Sequence, residues 1–118
     1  MRITLILSAI FLLSCGSSPS LIGNWKGDLS VQGFNMTIVY KIKKDTDGNY
    51  VLTYDNVSQG QYNQPVDGLK YEDGILTFAV VSVGADYEGR LSEDGKKLIG
   101  KVNIQGSSIP VELSLQEQ

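Results

Sequence analysis

Histidine is absent from the 118-residue chain. With it go the Ser-His-Asp triad, the Cys-His pair and every His-containing zinc site, which leaves only carboxylate, lysine and tyrosine chemistry. Most familiar enzyme classes are thereby excluded. Basic residues are few: ten Lys and Arg stand against thirteen Asp and Glu, a formal net charge of -3. No basic face is available to neutralise a phosphate backbone, and nucleic acid is not an expected partner. Cysteine occurs once, and the N-terminal apolar run stops at eleven residues. A bilayer-spanning helix needs roughly 20 such residues, so a retained transmembrane anchor is not expected. The length permits a single domain.

What is present begins with an address. Met1 and Arg2 carry one positive charge ahead of Ile3 to Leu13, the layout of a secretory signal, and residues 1–14 are expected to be cleaved. Leu12-Leu13-Ser14-Cys15 resembles the lipobox of bacterial lipoproteins, and the only Cys in the chain stands at that place. The resemblance implies lipidation of Cys15 and a mature chain of 104 residues, in which nine basic against thirteen acidic residues leave a net charge of -4. Several acyl chains on one Cys amount to stable anchoring, because each buried methylene contributes about 0.8 kcal/mol. The expected location is the cell envelope, and Gly16 after the Cys favours the outer membrane by the same resemblance, with its face left open. Residues 15–20 form the lipidated Cys and a flexible tether. Gly16 to Ser20 reach at most about 18 Å.

From Leu21 onward, residues 21–118 alternate apolar and polar side chains, and helical spacing is nowhere sustained. Eight runs result. The first sets Trp25, Leu29 and Val31 against Asn24, Lys26 and Asp28; the second sets Met36, Ile38, Tyr40 and Ile42 against Thr37, Lys41 and Lys43. Tyr50, Leu52 and Tyr54 mark the third. The fourth, Val66 to Tyr71, needs a bulge at Asp67-Gly68 to keep one face. Leu76 to Val80, Ala85 to Leu91, Leu98 to Ile104 and Ile109 to Leu115 complete the series. Asp47-Gly48, Asp73-Gly74 and Asp94-Gly95 supply turns, as do Gln32-Gly33 and the Gln105-Gly106 segment. One strand and turn in every 12 or so residues, joined by short connections, predicts an all-β fold. The expected form is an eight-stranded antiparallel up-and-down meander that closes into a barrel, with no helix beyond the signal segment.

Gly23-Asn24-Trp25 is similar to the Gly-x-Trp signature of lipocalin-type (calycin-like) barrels, in which the Trp plugs one end. Across the mature chain, Ile-Gly-Asn-Trp-Lys-Gly-Asp-Leu, Lys-Asp-Thr-Asp-Gly, Pro-Val-Asp, Tyr-Glu-Gly-Arg-Leu and Ile-Pro-Val-Glu-Leu together resemble a small β-rich module of secreted bacterial proteins. That module also occurs beside α/β-hydrolase domains, and it brings no activity of its own. No hydrolase domain is expected beside it here.

Chemistry-bearing constellations are sparse. Asp45-Thr46-Asp47-Gly48 lacks the Gly and Glu positions of a calcium loop and reads as a hairpin turn. No carboxylate pair stands out, so no catalytic residue, metal ligand or cofactor is expected. Trp25-Lys26-Gly27 and Tyr87-Glu88-Gly89 each place a Gly two residues after an inward aromatic, either to let a neighbouring ring pack or to leave volume for a ligand. If a small apolar ligand binds, the candidates are Trp25, Tyr40, Tyr54 and Tyr87; the competing expectation is that Met36, Phe78 and Leu113 fill the same space. The uncharged stretch Asn56 to Pro65 offers Gln59, Gln61, Tyr62 and Asn63 for contact with a protein or sugar partner, or serves only as a crossover. The functional expectation is a lipid-anchored, non-catalytic binding or interaction module. The alternatives are a structural envelope lipoprotein without a ligand and a carrier with a cavity inside the barrel. Oligomeric state is left open.

Overall fold

Strict alternation makes extended chain, because only a period of two puts every apolar side chain on one face. The computed structural model describes residues 20–117. Nine strands follow one another: β1 (Gly23–Val31), β2 (Phe34–Lys44), β3 (Tyr50–Asn56), β4 (Gln61–Pro65), β5 (Asp67–Glu72), β6 (Ile75–Val80), β7 (Ala85–Leu91), β8 (Lys97–Ile104) and β9 (Ser107–Leu115). Two 3-10 turns, Val57–Gln59 and Val81–Val83, interrupt the meander, and no α-helix occurs among the described residues. The signal segment 1–14 and the tether up to residue 19, Cys15 included, lie outside the described residues.

The sheet order is β4-β3-β2-β1-β9-β8-β7-β6-β5, with antiparallel neighbours throughout. β1 pairs with both β2 and β9, which brings first and last strands together as an up-and-down barrel requires. Nine strands are present where the alternation marks eight. The additional strand, β4, lies in the uncharged Asn56 to Pro65 stretch, whose residues are polar and carry no alternation to read. Its position explains the count. Eight antiparallel steps lead from β4 round to β5, so the two run in the same direction, and only Val66 separates them. They act as one strand bent at Val66, pairing with β3 in its first half and with β6 in its second. The result is a nearly closed barrel whose fourth strand changes partner midway. The bulge expected at Asp67-Gly68 is present as a register shift between Asp67 and Lys70.

Strand direction sorts the connections onto two ends. The Gln32-Gly33 and Gln105-Gly106 turns and both 3-10 turns share one end, here termed the mouth. Gln32, Gly33, Gln105 and Gly106 all have positive φ, the pairing of two left-handed residues that matches the twist of a tight hairpin. The opposite end gathers the 45–49, 73–74 and 92–96 turns with the N-terminal entrance at Leu21 and the C-terminal end of β9.

That second end is solid. Trp25 has no exposed surface, and its indole N–H donates to the Leu21 carbonyl at 2.9 Å. Leu21, Leu76, Leu98 and Leu113 are equally enclosed. The Gln116 amide donates to the Asn24 carbonyl at 2.8 Å, tying the two termini together beside the plug. Close backbone approach at glycine tightens the wall: a Cβ on Gly27 would stand 2.5 Å from the Glu112 carbonyl oxygen, and one on Gly100 would meet the Glu88 carbonyl and lie 2.5 Å from the Gly89 Cα. Any side chain at these points would push strands apart.

Candidate ligand cavity

The inward positions of the upper barrel carry smaller or unbranched side chains, among them Val31, Met36, Val80, Ala85, Val102 and Val111. They leave a cavity of about 350 Å³ that opens at the mouth. This is within the range of small-molecule sites, roughly 300 to 1,000 Å³. Met36 and Phe78 line the cavity rather than fill it, and Leu113 is sealed within the solid half.

The deeper wall is aromatic. Tyr40 meets Phe78 and Tyr87 edge to face, with centroids 5.2 and 5.1 Å apart, while Phe78 and Tyr87 stack at 5.3 Å. Tyr40 is the direct cross-strand neighbour of both Trp25 on β1 and Tyr54 on β3, so the pleat brings all three into one row. Burial pushes the Tyr40 hydroxyl well above its ordinary ionisation range, reinforced by the Tyr87 and Tyr54 hydroxyls, and burial alone raises Tyr87 and Tyr54. At neutral pH these are uncharged groups that both donate and accept.

Three of the four expected ligand residues, Tyr40, Tyr54 and Tyr87, line the cavity. Trp25 does not: it lies beneath, its one polar atom already bonded to Leu21. The glycine volumes are also occupied. Tyr87 lays its own ring over Gly89, with Cζ 2.6 Å from where a Cβ would sit, and the Glu112 carbonyl takes the space at Gly27. The vacated volume that motivates the ligand expectation at Gly27 and Gly89 is therefore used for packing, and the cavity arises elsewhere, from the small residues above.

The Asn56 to Pro65 segment divides. Gln59 and Gln61 stand at the cavity mouth, whereas Tyr62 and Asn63 are exposed on its outer side. The Asn63 backbone amide donates to the Asp55 carboxylate at 2.8 Å and its side chain accepts from Lys41, which itself pairs with Asp55 at 3.0 Å. This network fixes the start of β4. Asn56, by contrast, points inward one step beyond Tyr54 on the same face of β3 and is only 7% exposed. Simple continuation of the parity past Tyr54 marks it. Gln32 and Gln105 join the rim, the Gln32 amide donating to Gln105 at 3.0 Å across two neighbouring turns. Their place follows only from the pairing of β1–β2 with β8–β9, which no local pattern carries.

Two buried side-chain polar atoms among the described residues lack a hydrogen-bond partner, Asn56 Oδ1 and Tyr87 Oη, and both residues line this cavity. No Lys or Arg lines it; the one charged residue of its wall is Asp86, whose carboxylate accepts from the Asn103 amide at 2.8 Å on the outer face. Around the mouth, Phe34, Val57, Val81 and Val83 are exposed, Phe34 to 74%. No cluster of three or more potential metal-ligating side chains occurs among the described residues, and none of their helices is long and apolar enough to cross a membrane. Compared with known proteins, the chain matches no family model, no curated protein and no solved structure.

Proposed function

We propose that this protein is a lipid-anchored envelope lipoprotein that binds one small, largely apolar molecule in the mouth half of its barrel, holding or presenting it without chemical change. The observation that carries the reading is the coincidence of the cavity with the unpartnered buried Asn56 Oδ1 at its mouth end; the other unpartnered atom, Tyr87 Oη, lies down over Gly89 beneath the floor. An unsatisfied buried polar atom costs about 1 to 3 kcal/mol, and a ligand that bonds to it recovers part of that.

The anchor gives the site an orientation. The chain enters the barrel at the solid end, and six residues from Cys15 to Leu21 span at most about 20 Å. β2 has eleven residues, so at about 3.3 Å each and a tilt near 40° the barrel stands about 28 Å tall. The tether is too short to run up the wall and turn the mouth onto the leaflet that holds Cys15. The mouth faces away from that surface and takes its ligand from the aqueous side.

Native mass spectrometry of the delipidated protein tests the proposal: a co-purified or added apolar compound should remain bound, and Val102→Phe, which fills the cavity from β8, should lose it while melting within a few degrees of wild type. Retention of the compound by Val102→Phe with unchanged affinity would place it elsewhere. A second reading, docking of a protein through the mouth, is favoured by the exposed Phe34, Val57, Val81 and Val83 around the opening. Loss of a bound partner on substituting Phe34 and Val81 by Ser, with the cavity ligand retained, would distinguish it.

A further inference from the structure

We infer that the cavity selects an uncharged amphiphile of about a dozen non-hydrogen atoms, with a hydroxyl head at Asn56 and its apolar body toward the aromatic floor, and that it rejects the same body carrying a carboxylate. The inference rests on the proposed ligand-binding role and adds the chemical class.

Charge decides the first half. No cation lines the cavity, and its one charged lining residue, Asp86, turns its carboxylate to the Asn103 amide on the outer face of β7 and β8. Lys41, on the strand that carries Met36 and Tyr40, is held on the outer face by Asp55 at 3.0 Å. A carboxylate drawn into this apolar space loses its hydration with no positive partner, a cost of several kcal/mol. A neutral head avoids it.

Polarity along the axis sets the orientation. Phe78, Tyr40 and Tyr87 form the floor, while Asn56, Gln59 and Gln61 stand at the mouth end of the same cavity. The Asn56 amide donates to Gln59 Oε1 at 3.2 Å and to Met36 Sδ at 3.3 Å, and its Oδ1 has no partner. Thioether sulfur is a weak acceptor on an adaptable side chain, so Met36 gives way readily to a better group. A hydroxyl both donates and accepts, and it satisfies the Asn56 amide in either orientation of that amide. An ether can only accept. The size follows from the volume: about 350 Å³, at about 30 Å³ for each water-sized group, holds about twelve such groups.

The test uses residues 16–118, which contain every strand of the barrel, and isothermal titration calorimetry at pH 8 with 1-decanol, decanoate and 1-methoxynonane. These three ligands share one apolar body and differ in head. Decanol is expected to bind at least about tenfold more tightly than either of the others, and Asn56→Leu should abolish its advantage over the ether while the ether still binds. Decanoate binding as tightly as decanol, or the ether equalling decanol in the wild type, would overturn the inference and leave the cavity reading intact. Binding of none of the three would overturn the ligand-binding role itself. If circular dichroism shows Asn56→Leu unfolded, the wild-type series alone decides.

Discussion

Replacing Trp25 by Ala should remove most of the stability of this barrel. Trp25 has no exposed surface, and its indole N–H holds the Leu21 carbonyl at 2.9 Å, so the substitution opens a cavity and orphans a buried acceptor together. A fully buried ring of about 200 Å², at about 25 cal/mol per Å², is worth about 5 kcal/mol. Measured deletions of large aromatics span about 3 to 5 kcal/mol, and the stranded carbonyl places this one at the upper end. A domain of this size holds about 5 to 15 kcal/mol in total, and each kcal/mol shifts the midpoint by about 4 to 8 °C. The melting temperature, followed by circular dichroism in the strand region, should therefore fall by about 20 to 40 °C. Trp25→Phe keeps a ring but loses the N–H, and should cost about 1 to 2 kcal/mol. A fall of under about 5 °C for Trp25→Ala would refute the plug, showing that the solid end does not depend on this side chain. Because Trp25 lies beneath the cavity lining, a cavity ligand at saturation should leave its fluorescence maximum unmoved.

Gly100→Ala should destabilise by about 1 to 3 kcal/mol, since its Cβ would meet the Glu88 carbonyl and lie 2.5 Å from the Gly89 Cα, whereas Lys101→Ala on the exposed face of the same strand should stay within about 0.5 kcal/mol in urea unfolding. Alkaline titration should unfold the protein. Burial raises Tyr40 and Tyr87 above their unfolded value near 10, so their stabilisation is complete below that pH and is lost above it at up to about 1.4 kcal/mol per pH unit for each, and Tyr87→Phe should flatten the decline. Labelled fatty acid should enter the wild-type protein and not Cys15→Ala, and equal labelling would remove the anchor from the proposal.

Alternation made the barrel legible because most strands have one dry face, and the inward residues from Trp25 on β1 to Leu115 on β9 follow from parity except along β4 and β5, where a bulge resets the face between Val66 and Leu69. It failed at Gln61–Pro65 for a physical reason. β4 borders the mouth and continues into β5 through Val66, so it buries little and its residues are polar on both faces. The site was legible by residue type and not by height. Tyr40, Tyr54 and Tyr87 were picked out as inward aromatics, and Trp25 came with them because parity does not say how far along the axis a side chain sits. Height requires register, and register across β1–β9 joins residues about ninety positions apart. Asn56 needed only one further step along β3 beyond Tyr54, but its polarity reads as the start of a loop.

An eight-stranded barrel is only just wide enough to be filled by its own side chains, so whether it is hollow depends on how the bulk is distributed along the axis. β7 shows how this chain does it. Its inward series runs Ala85, Tyr87, Gly89, Leu91 from the mouth downward, and Tyr87 lies flat over Gly89 rather than rising toward Ala85. The aromatic-x-Gly order therefore moves a large ring down by about one residue pair, toward the solid end, and leaves the smallest inward side chain of the strand facing the opening. β8 and β9 share the pattern only in their middle, with Leu98 and Gly100 below Val102 and Leu113 below Val111, while Ile104 and Ile109 stand above them toward the opening. Glycine in this barrel does not itself make the ligand space. By accepting a neighbour's ring or a neighbouring backbone in the lower half, it lets the bulk collect there, and the cavity is what remains above.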